Sequence, residues 1–150
     1  MKQIIKVAAL IVFLSFCFFG SSSLADSKGI IKYRKNVMES TAGHMGAIVD
    51  ILKNDLPLQA HILDHARSIQ QNSKMTLAMF PKGTGLGNTK AKSAIWGNWS
   101  KFESAVQDFE RESAKLAKVA ESGGMEALAK QVRATGKTCG GCHRNFRKRD

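Results

Sequence analysis

Residues 138–144 read TCGGCHR, and this short run near the end of the 150-residue chain organises the rest of the sequence. The pattern Cys-x-x-Cys-His is the attachment signature of c-type haem. Cys139 and Cys142 lie about one helical turn apart, so both thiols can add to the vinyl groups of one porphyrin. His143 then falls under the iron and offers an imidazole nitrogen as an axial ligand. The run therefore predicts one covalently bound haem c, with the remainder of the chain as its housing.

Three other interpretations of the two cysteines compete with haem attachment. A redox-active dithiol is typical of a βαβ setting, and the sequence has no such pattern. A zinc site would need a second cysteine pair or a suitably spaced histidine after His143, and the sequence has neither. A string this short also occurs by chance. The export signal at the other end of the chain favours haem attachment over all three.

The N-terminal 25 residues have the pattern of a secretory signal peptide. Lysines precede an apolar run over residues 7–19, and Ser23-Leu24-Ala25 resembles a cleavage site. The apolar run is shorter than the roughly 20 residues that a spanning helix needs. We therefore predict a cleavable leader over residues 1–25, a mature domain over residues 26–150 and a periplasmic location. A retained membrane anchor is the alternative.

The net charge of the chain is strongly positive, with 23 basic and 12 acidic residues. Without Lys2 and Lys6 of the leader, 21 basic residues remain and the net charge is +9. Such a charge favours acidic partners or anionic surfaces. Nucleic acid is not the expected partner, because no recognition motif is visible and an exported chain seldom meets it. The basic residues that follow the haem motif suit either a docking rim or an ordinary solvated helix end: Arg144, Arg147, Lys148 and Arg149.

The mature sequence divides into four amphipathic helical stretches without a strand signal. The first runs over about residues 27–53. Pro57 suits the opening turn of the second helix, with Asn54 or Asp55 as its capping residue, and Pro81 ends it. A glycine-rich loop follows. The third stretch has the clearest apolar stripe: Ile95, Trp99, Phe102, Val106, Phe109, Leu116 and Ala120.

The fourth helical stretch begins near Met125, after the glycine pair that ends the third. Both cysteines continue its apolar stripe, so the haem is expected to hang into the bundle interior. Four amphipathic helices joined by turns predict an all-α fold, an antiparallel four-helix bundle with covalently bound haem c. The predicted inward positions of the last helix are Leu128, Val132, Thr135, Cys139, Cys142 and Phe146.

Several features across almost the whole mature chain resemble those of one family. The haem motif lies close to the C-terminus, and the other features are Ile31-Lys32-Tyr33-Arg34 with Val37-Met38, Gly43-His44-Met45-Gly46, Phe80-Pro81 with Gly83-Thr84, Ile95-Trp96 with Trp99 and Phe102, and Phe146-Arg147. In these features the chain resembles the class II c-type cytochromes, which include cytochrome c-prime. The resemblance implies thioether bonds at Cys139 and Cys142 and axial ligation of the iron by His143.

The resemblance also implies roles for three further residues. Met38 is implied to lie on the distal face of the haem. There it either ligates the iron of a low-spin electron carrier or only covers a five-coordinate iron that takes nitric oxide or carbon monoxide. Arg34 is implied to meet a haem propionate by paired hydrogen bonds. Arg147, one turn after His143, is implied to lie over the proximal imidazole and tune its basicity. Core packing for Met38 and a solvated charge for Arg147 are the alternatives.

We expect a periplasmic monohaem cytochrome that passes single electrons to redox partner proteins with acidic docking faces. An enzyme is not expected, because the sequence contains no nucleophile–base constellation, phosphate loop or paired-carboxylate site. The alternative function is capture of nitric oxide by a five-coordinate iron. Relatives often pair as homodimers through their first two helices. His61 and His65 share a metal-binding spacing without a third ligand, and His44 is a minor alternative for the sixth iron ligand.

Overall fold

The computed structural model describes residues 22–122 and 124–149. The predicted leader over residues 1–25 therefore lies outside the described residues except for its last four, and its cleavage stays a prediction. None of the helices in the described ranges is long and apolar enough to cross a bilayer. These ranges contain five α-helices and two 3-10 turns: α1 (Ser22–Lys53), a 3-10 turn (Gln59–His61), α2 (Ile62–Lys74), a 3-10 turn (Leu77–Met79), α3 (Ala94–Gly97), α4 (Trp99–Ser122) and α5 (Met125–Phe146).

The four long helices, α1, α2, α4 and α5, form the predicted antiparallel four-helix bundle. Helices α2 and α4 are antiparallel. Arg67 near the start of α2 bonds Glu121 at the end of α4, whereas Ser73 near the end of α2 bonds Ser113, earlier in α4. The helices are arranged in a ring in which α2 packs against α1 and α4, and α4 packs against α5. Direct contact between α1 and α5 is sparse by comparison. The bundle is therefore tight on three sides and loose between its first and last helices.

The core consists of two apolar clusters of buried side chains. The first cluster contains Ile48, Ile51, Ile62, Ala66, Ile69, Phe109, Leu116, Ala117, Leu128 and Val132. The second cluster contains Met79, Phe80, Ala91, Ile95, Phe102, Val106 and Phe146. The haem motif lies between the two, because the half-buried Cys139 packs against the first cluster and Cys142 against the second.

The second helix begins later than predicted and is not capped by Asn54 or Asp55. Asp55 has a φ of 47°, so it reverses the chain in the left-handed region instead of capping a helix. Aspartate tolerates this region better than most residues with a side chain. Pro57 lies in the turn that follows, and regular α-helix starts only at Ile62. The predicted start at Pro57 and the predicted cap at Asn54 or Asp55 were both wrong, because the conformation of the turn at Asp55 was preferred over helix capping.

The third helical stretch is interrupted at Asn98, whose φ of −134° and ψ of 51° separate α3 from α4. The predicted stripe is otherwise confirmed, since the side chains of Ile95, Phe102, Val106 and Leu116 are buried. Trp99 is the exception. It directly follows the break at Asn98 and is 39% exposed.

The loop between the 3-10 turn and α3 is held by its glycines and by Trp96. The indole nitrogen of Trp96 donates to the carbonyl oxygens of Phe80 at 3.0 Å and Pro81 at 3.2 Å. The ring lies so close to Gly85 that a Cβ there would come within 2.6 Å of it. Gly83 and Gly87 both have a φ of 88°, which side chains rarely adopt. The glycine-rich sequence is therefore required by the loop's close packing and reversals.

Candidate functional site

Cys139 and Cys142 lie in the last two turns of α5 as free, half-buried thiols. Their spacing of three residues puts both on the inner face of the helix, which continues the buried positions Leu128, Val132 and Thr135. The predicted stripe on the last helix is therefore confirmed. A group bonded to both sulfurs would lie where the two apolar clusters meet.

Both thiols have pKa values above the usual range. Burial raises the pKa of Cys142 to about 11, with a further contribution from Cys139. Burial also raises the pKa of Cys139, against a hydrogen bond from Thr138 that lowers it. The C-terminal half of a helix disfavours a thiolate, whereas redox dithiols have pKa values lowered at helix N-termini. The site therefore does not have the electrostatics of a dithiol oxidoreductase.

His143 follows Cys142 directly, and much of its side chain faces solvent. Partial burial of the imidazole ring lowers the pKa of His143, and the positive charge of Arg147 lowers it further. A lowered pKa favours the neutral imidazole, which is the form that ligates a metal.

Arg147 lies directly after the end of α5 and one turn after His143. Helix α5 ends at Phe146, and Arg147 is extended, with a φ of −111° and a ψ of 133°. Its backbone N–H donates to the carbonyl of His143 at 3.0 Å and closes the last turn. The charge of Arg147 acts on His143 from this position, and its placement over a proximal imidazole stays a prediction.

Met38 lies on α1 and is half-buried together with Val37. Both pack against the second cluster, as Cys142 does from α5. Met45, two turns along α1, packs against the first cluster, as Cys139 does. The loose side of the bundle is therefore lined by apolar side chains from α1 and by both cysteines from α5. Whether Met38 ligates iron stays a prediction.

Arg34 is 4% exposed, and its two terminal nitrogens are fully used by the loop that follows α2. One nitrogen donates to the carbonyl of Met79 at 3.1 Å and to Oγ1 of Thr84 at 3.2 Å. The other donates to the carbonyl of Thr84 at 3.0 Å and to Oγ1 of Thr89 at 2.8 Å. The guanidinium also lies 4.5 Å from the ring centre of Phe80. Arg34 therefore clamps this loop and keeps its Nε–H for a further contact, and the propionate contact implied by the resemblance stays a prediction.

The charge of Arg34 nevertheless fits a site for an anionic cofactor. Burial lowers the pKa of Arg34, and among the described residues no carboxylate lies within ion-pair distance of it. Buried charges in proteins are normally paired. A carboxylate carried by the haem would supply the missing negative charge near this part of α1. Two free thiols, a neutral imidazole, apolar walls and an unpaired buried cation together fit haem c.

A groove of about 760 Å³ opens between α4 and α5 beside Cys142 and Phe146. This volume is within the range that is typical of small-molecule and cofactor sites. Its charged lining residues are Lys101, Lys137, Arg144 and Asp108, so it carries more basic than acidic groups. Neither Met38 nor Cys139 lines the groove, so it borders the cysteine site from the α4 side and does not include the whole of it.

The histidines combine differently from the predicted pair. His44 of α1 and His65 of α2 meet across the bundle, with their Nδ1 atoms 2.9 Å apart, while His61 is exposed. His44 is thus engaged with α2. No group of three potential metal-ligating side chains occurs in the part of the chain that the structure describes. Sequence reasoning missed this contact and the Arg34 clamp, because neither has a signal in the spacing of residues.

Comparison with known proteins agrees with this geometry. The sequence model of the family described as Cytochrome C' matches residues 29–147. Cytochrome c' of Rhodospirillum rubrum is 34% identical over 148 residues, which cover 98% of this chain and 99% of that protein.

Solved structures agree as well. Cytochrome c prime of Shewanella frigidimarina superposes with a TM-score of 0.78 at 28% identity, over 82% of this chain and 97% of that one. A ferrous variant from Alcaligenes xylosoxidans with bound NO has a TM-score of 0.76 at 26% identity, over 83% and 97% of the two chains. A carbon monoxide-bound variant from the same organism also has a TM-score of 0.76, at 27% identity, over 82% and 97%. The chain therefore belongs to the cytochrome c' family of class II c-type cytochromes, which carry one covalently bound haem c.

Proposed function

We propose that this protein is a periplasmic one-electron carrier, produced with a cleavable leader over residues 1–25 and a cytochrome domain over residues 26–150. In it Cys139 and Cys142 form the thioether bonds to the haem, and His143 supplies an axial nitrogen. The observation that carries the proposal is the position of the motif, with half-buried thiols between two apolar clusters and an exposed His143. A cofactor held there has apolar surroundings on one side and a partner-accessible edge on the other. When bound, the haem supplies an iron that takes up and returns one electron.

The residues of the chain tune this site in three ways. The lowered pKa of His143 keeps the imidazole neutral and available to the metal. The two clusters exclude water and lower the local dielectric constant. The buried positive charge of Arg34 favours the less positive ferrous state, so it is expected to raise the reduction potential. None of these roles requires a catalytic residue, and we propose a carrier and not an enzyme.

Binding of nitric oxide or carbon monoxide is the second candidate function. Related structures from Alcaligenes xylosoxidans hold these gases. In this chain, the packing of Met38 and Val37 against apolar side chains of the second cluster also suits a side chain that covers the distal face without ligating iron. Methionine fills apolar gaps well, so burial alone is compatible with either role.

Optical spectroscopy of the purified protein tests both candidates. A low-spin iron ligated by Met38 gives sharp, split bands when reduced, and carbon monoxide leaves them unchanged. The substitution Met38→Ala then converts the spectrum to high spin and opens the iron to carbon monoxide. Met45→Ala, a control on the same helix, leaves the spectrum as it was. Broad bands in the unsubstituted protein that shift with carbon monoxide favour gas binding. A colourless protein with the mass of the bare polypeptide contradicts both functions.

A further inference from the structure

The structure joins two basic segments that lie about 50 residues apart in the sequence. The backbone N–H of Lys92 donates to the carbonyl of Phe146 at 2.9 Å, and that of Lys148 donates to the carbonyl of Lys90 at 2.7 Å. Between these bonds, Ala91 and Arg147 form an antiparallel backbone bridge. The loop before α3 and the chain after α5 are thus one continuous surface.

A side-chain contact strengthens this junction. The Nζ of Lys92 donates to the carbonyl oxygen of Arg144 at 3.1 Å, which satisfies a backbone oxygen at the end of α5. The positively charged ammonium also suits the C-terminal end of a helix dipole. The position of Lys92 is therefore fixed beside the exposed Arg144, directly after the haem motif.

The two joined segments are rich in basic residues. Residues 65–102 contain six lysines and arginines and residues 127–149 contain seven, and neither range contains an aspartate or glutamate. Two acidic residues of α4 near this surface form ion pairs within the helix, Glu112 with Lys115 and Asp108 with Arg111. The groove beside Cys142 is also mainly basic, since Lys101 and Lys137 line it together with a single acidic residue, Asp108. The positive field is thus concentrated where the haem motif reaches the surface.

The same loop carries an apolar side chain at its tip, because Leu86 is 84% exposed. Protein interfaces combine an apolar centre with a polar rim, and a field of one sign steers a partner of the opposite sign. We propose that the surface formed by Lys90, Lys92, Arg144, Arg147 and Lys148, the basic face, docks an acidic electron-transfer protein beside the haem edge. This inference rests on the proposed electron-transfer function and adds the surface and the kind of partner.

Stopped-flow oxidation of the reduced holoprotein tests the basic face, with plastocyanin as an acidic probe protein. Lys92→Glu reverses a charge on the loop and Lys148→Glu reverses one on the C-terminal segment. At low ionic strength we expect each substitution to slow the reaction about threefold and the double variant about tenfold, since steering of this kind changes on-rates by factors of 10 or more. In about 1 M salt, where the Debye length is about 3 Å, all variants should react alike.

The matched control carries Lys53→Glu and Lys118→Glu, which change net charge equally at exposed positions on α1 and α4 outside the basic face. Optical spectra should be the same in all variants, and rates are compared after correction for each variant's measured reduction potential, so a slower reaction reports docking. An equal effect of the control, or no effect of the double variant, overturns the proposal. Binding to anionic vesicles without any change in the reaction with plastocyanin also overturns it, in favour of a membrane surface.

A neutral oxidant separates this inference from the proposed function. If the reduced protein transfers electrons to benzoquinone, and its rate with plastocyanin does not depend on the charge of the basic face, only the docking proposal fails. If it transfers no electrons to benzoquinone or to plastocyanin, the electron-transfer function itself fails.

Discussion

Replacement of Arg34 by alanine tests the clamp that connects α1 to the loop after α2. The substitution removes four hydrogen bonds, to oxygens of Met79, Thr84 and Thr89. Hydrogen bonds to charged groups contribute about 1.5–3 kcal/mol each, so the gross loss is about 6–12 kcal/mol. Burial of a charge costs several kcal/mol, which the substitution returns. We expect a net loss of about 3 kcal/mol in the free energy of unfolding.

The assay is urea unfolding of the holoprotein, followed by far-ultraviolet circular dichroism and by the haem absorbance. A loss of about 3 kcal/mol corresponds to a fall of about 10 °C in Tm for a domain of this size. Arg34→Lys keeps the charge, but a single ammonium cannot span the same set of oxygens, so it should recover less than half of the loss. In Arg34→Ala, the reduction potential should also fall if the proposed haem site is correct, because a buried positive charge of the domain is removed.

Arg67 provides the control, since its ion pair with Glu121 at 3.0 Å is exposed, with both side chains 54% accessible. Exposed pairs contribute about 0–1 kcal/mol, so Arg67→Ala should change stability little. If Arg34→Ala costs no more than Arg67→Ala, the guanidinium does not hold the loop and the reasoning is refuted.

Four other predictions concern the bundle. Phe102→Ala should cost about 3–5 kcal/mol in denaturant unfolding, because the ring is 1% exposed and contacts three other aromatic rings. Ser113→Ala should cost about 1 kcal/mol or less by the same assay, since Ser73 keeps its bond to the carbonyl of Gln70. Gly85→Ala should cost about 1–3 kcal/mol, because the methyl group meets the Trp96 ring, and the indole fluorescence should shift. Burial and the neighbouring His44 and His61 lower the pKa of His65 from 6.5, so the unfolded chain takes up the proton first. Stability should therefore be full above about pH 6.5 and decline as pH falls through that value towards the folded pKa, and His65→Gln should remove this decline from urea midpoints.

The sequence by itself determined the helical class, the cofactor and the inner face of the last helix. These are local properties, because a period of 3.6 residues decides which side chains share a helix face, and Cys139 and Cys142 fall on the buried stripe whatever α5 packs against. The attachment motif is local for the same reason, since five consecutive residues carry both thiols and the imidazole. Helix ends were less predictable, as Asp55 and Asn98 show, because turn conformations compete with capping and periodicity at similar cost.

Only the tertiary structure decided where long-range donors and charges meet. Arg34 bonds residues 45 to 55 positions away, His44 meets His65 across two helices, and Lys92 reaches the end of α5. The looseness between α1 and α5 likewise depends on how four helices close into a ring. Such contacts depend on the relative placement of whole elements, which periodicity within each element does not specify. The sequence therefore determined what the chain binds, and the packing of its helices decided which charges surround the bound group.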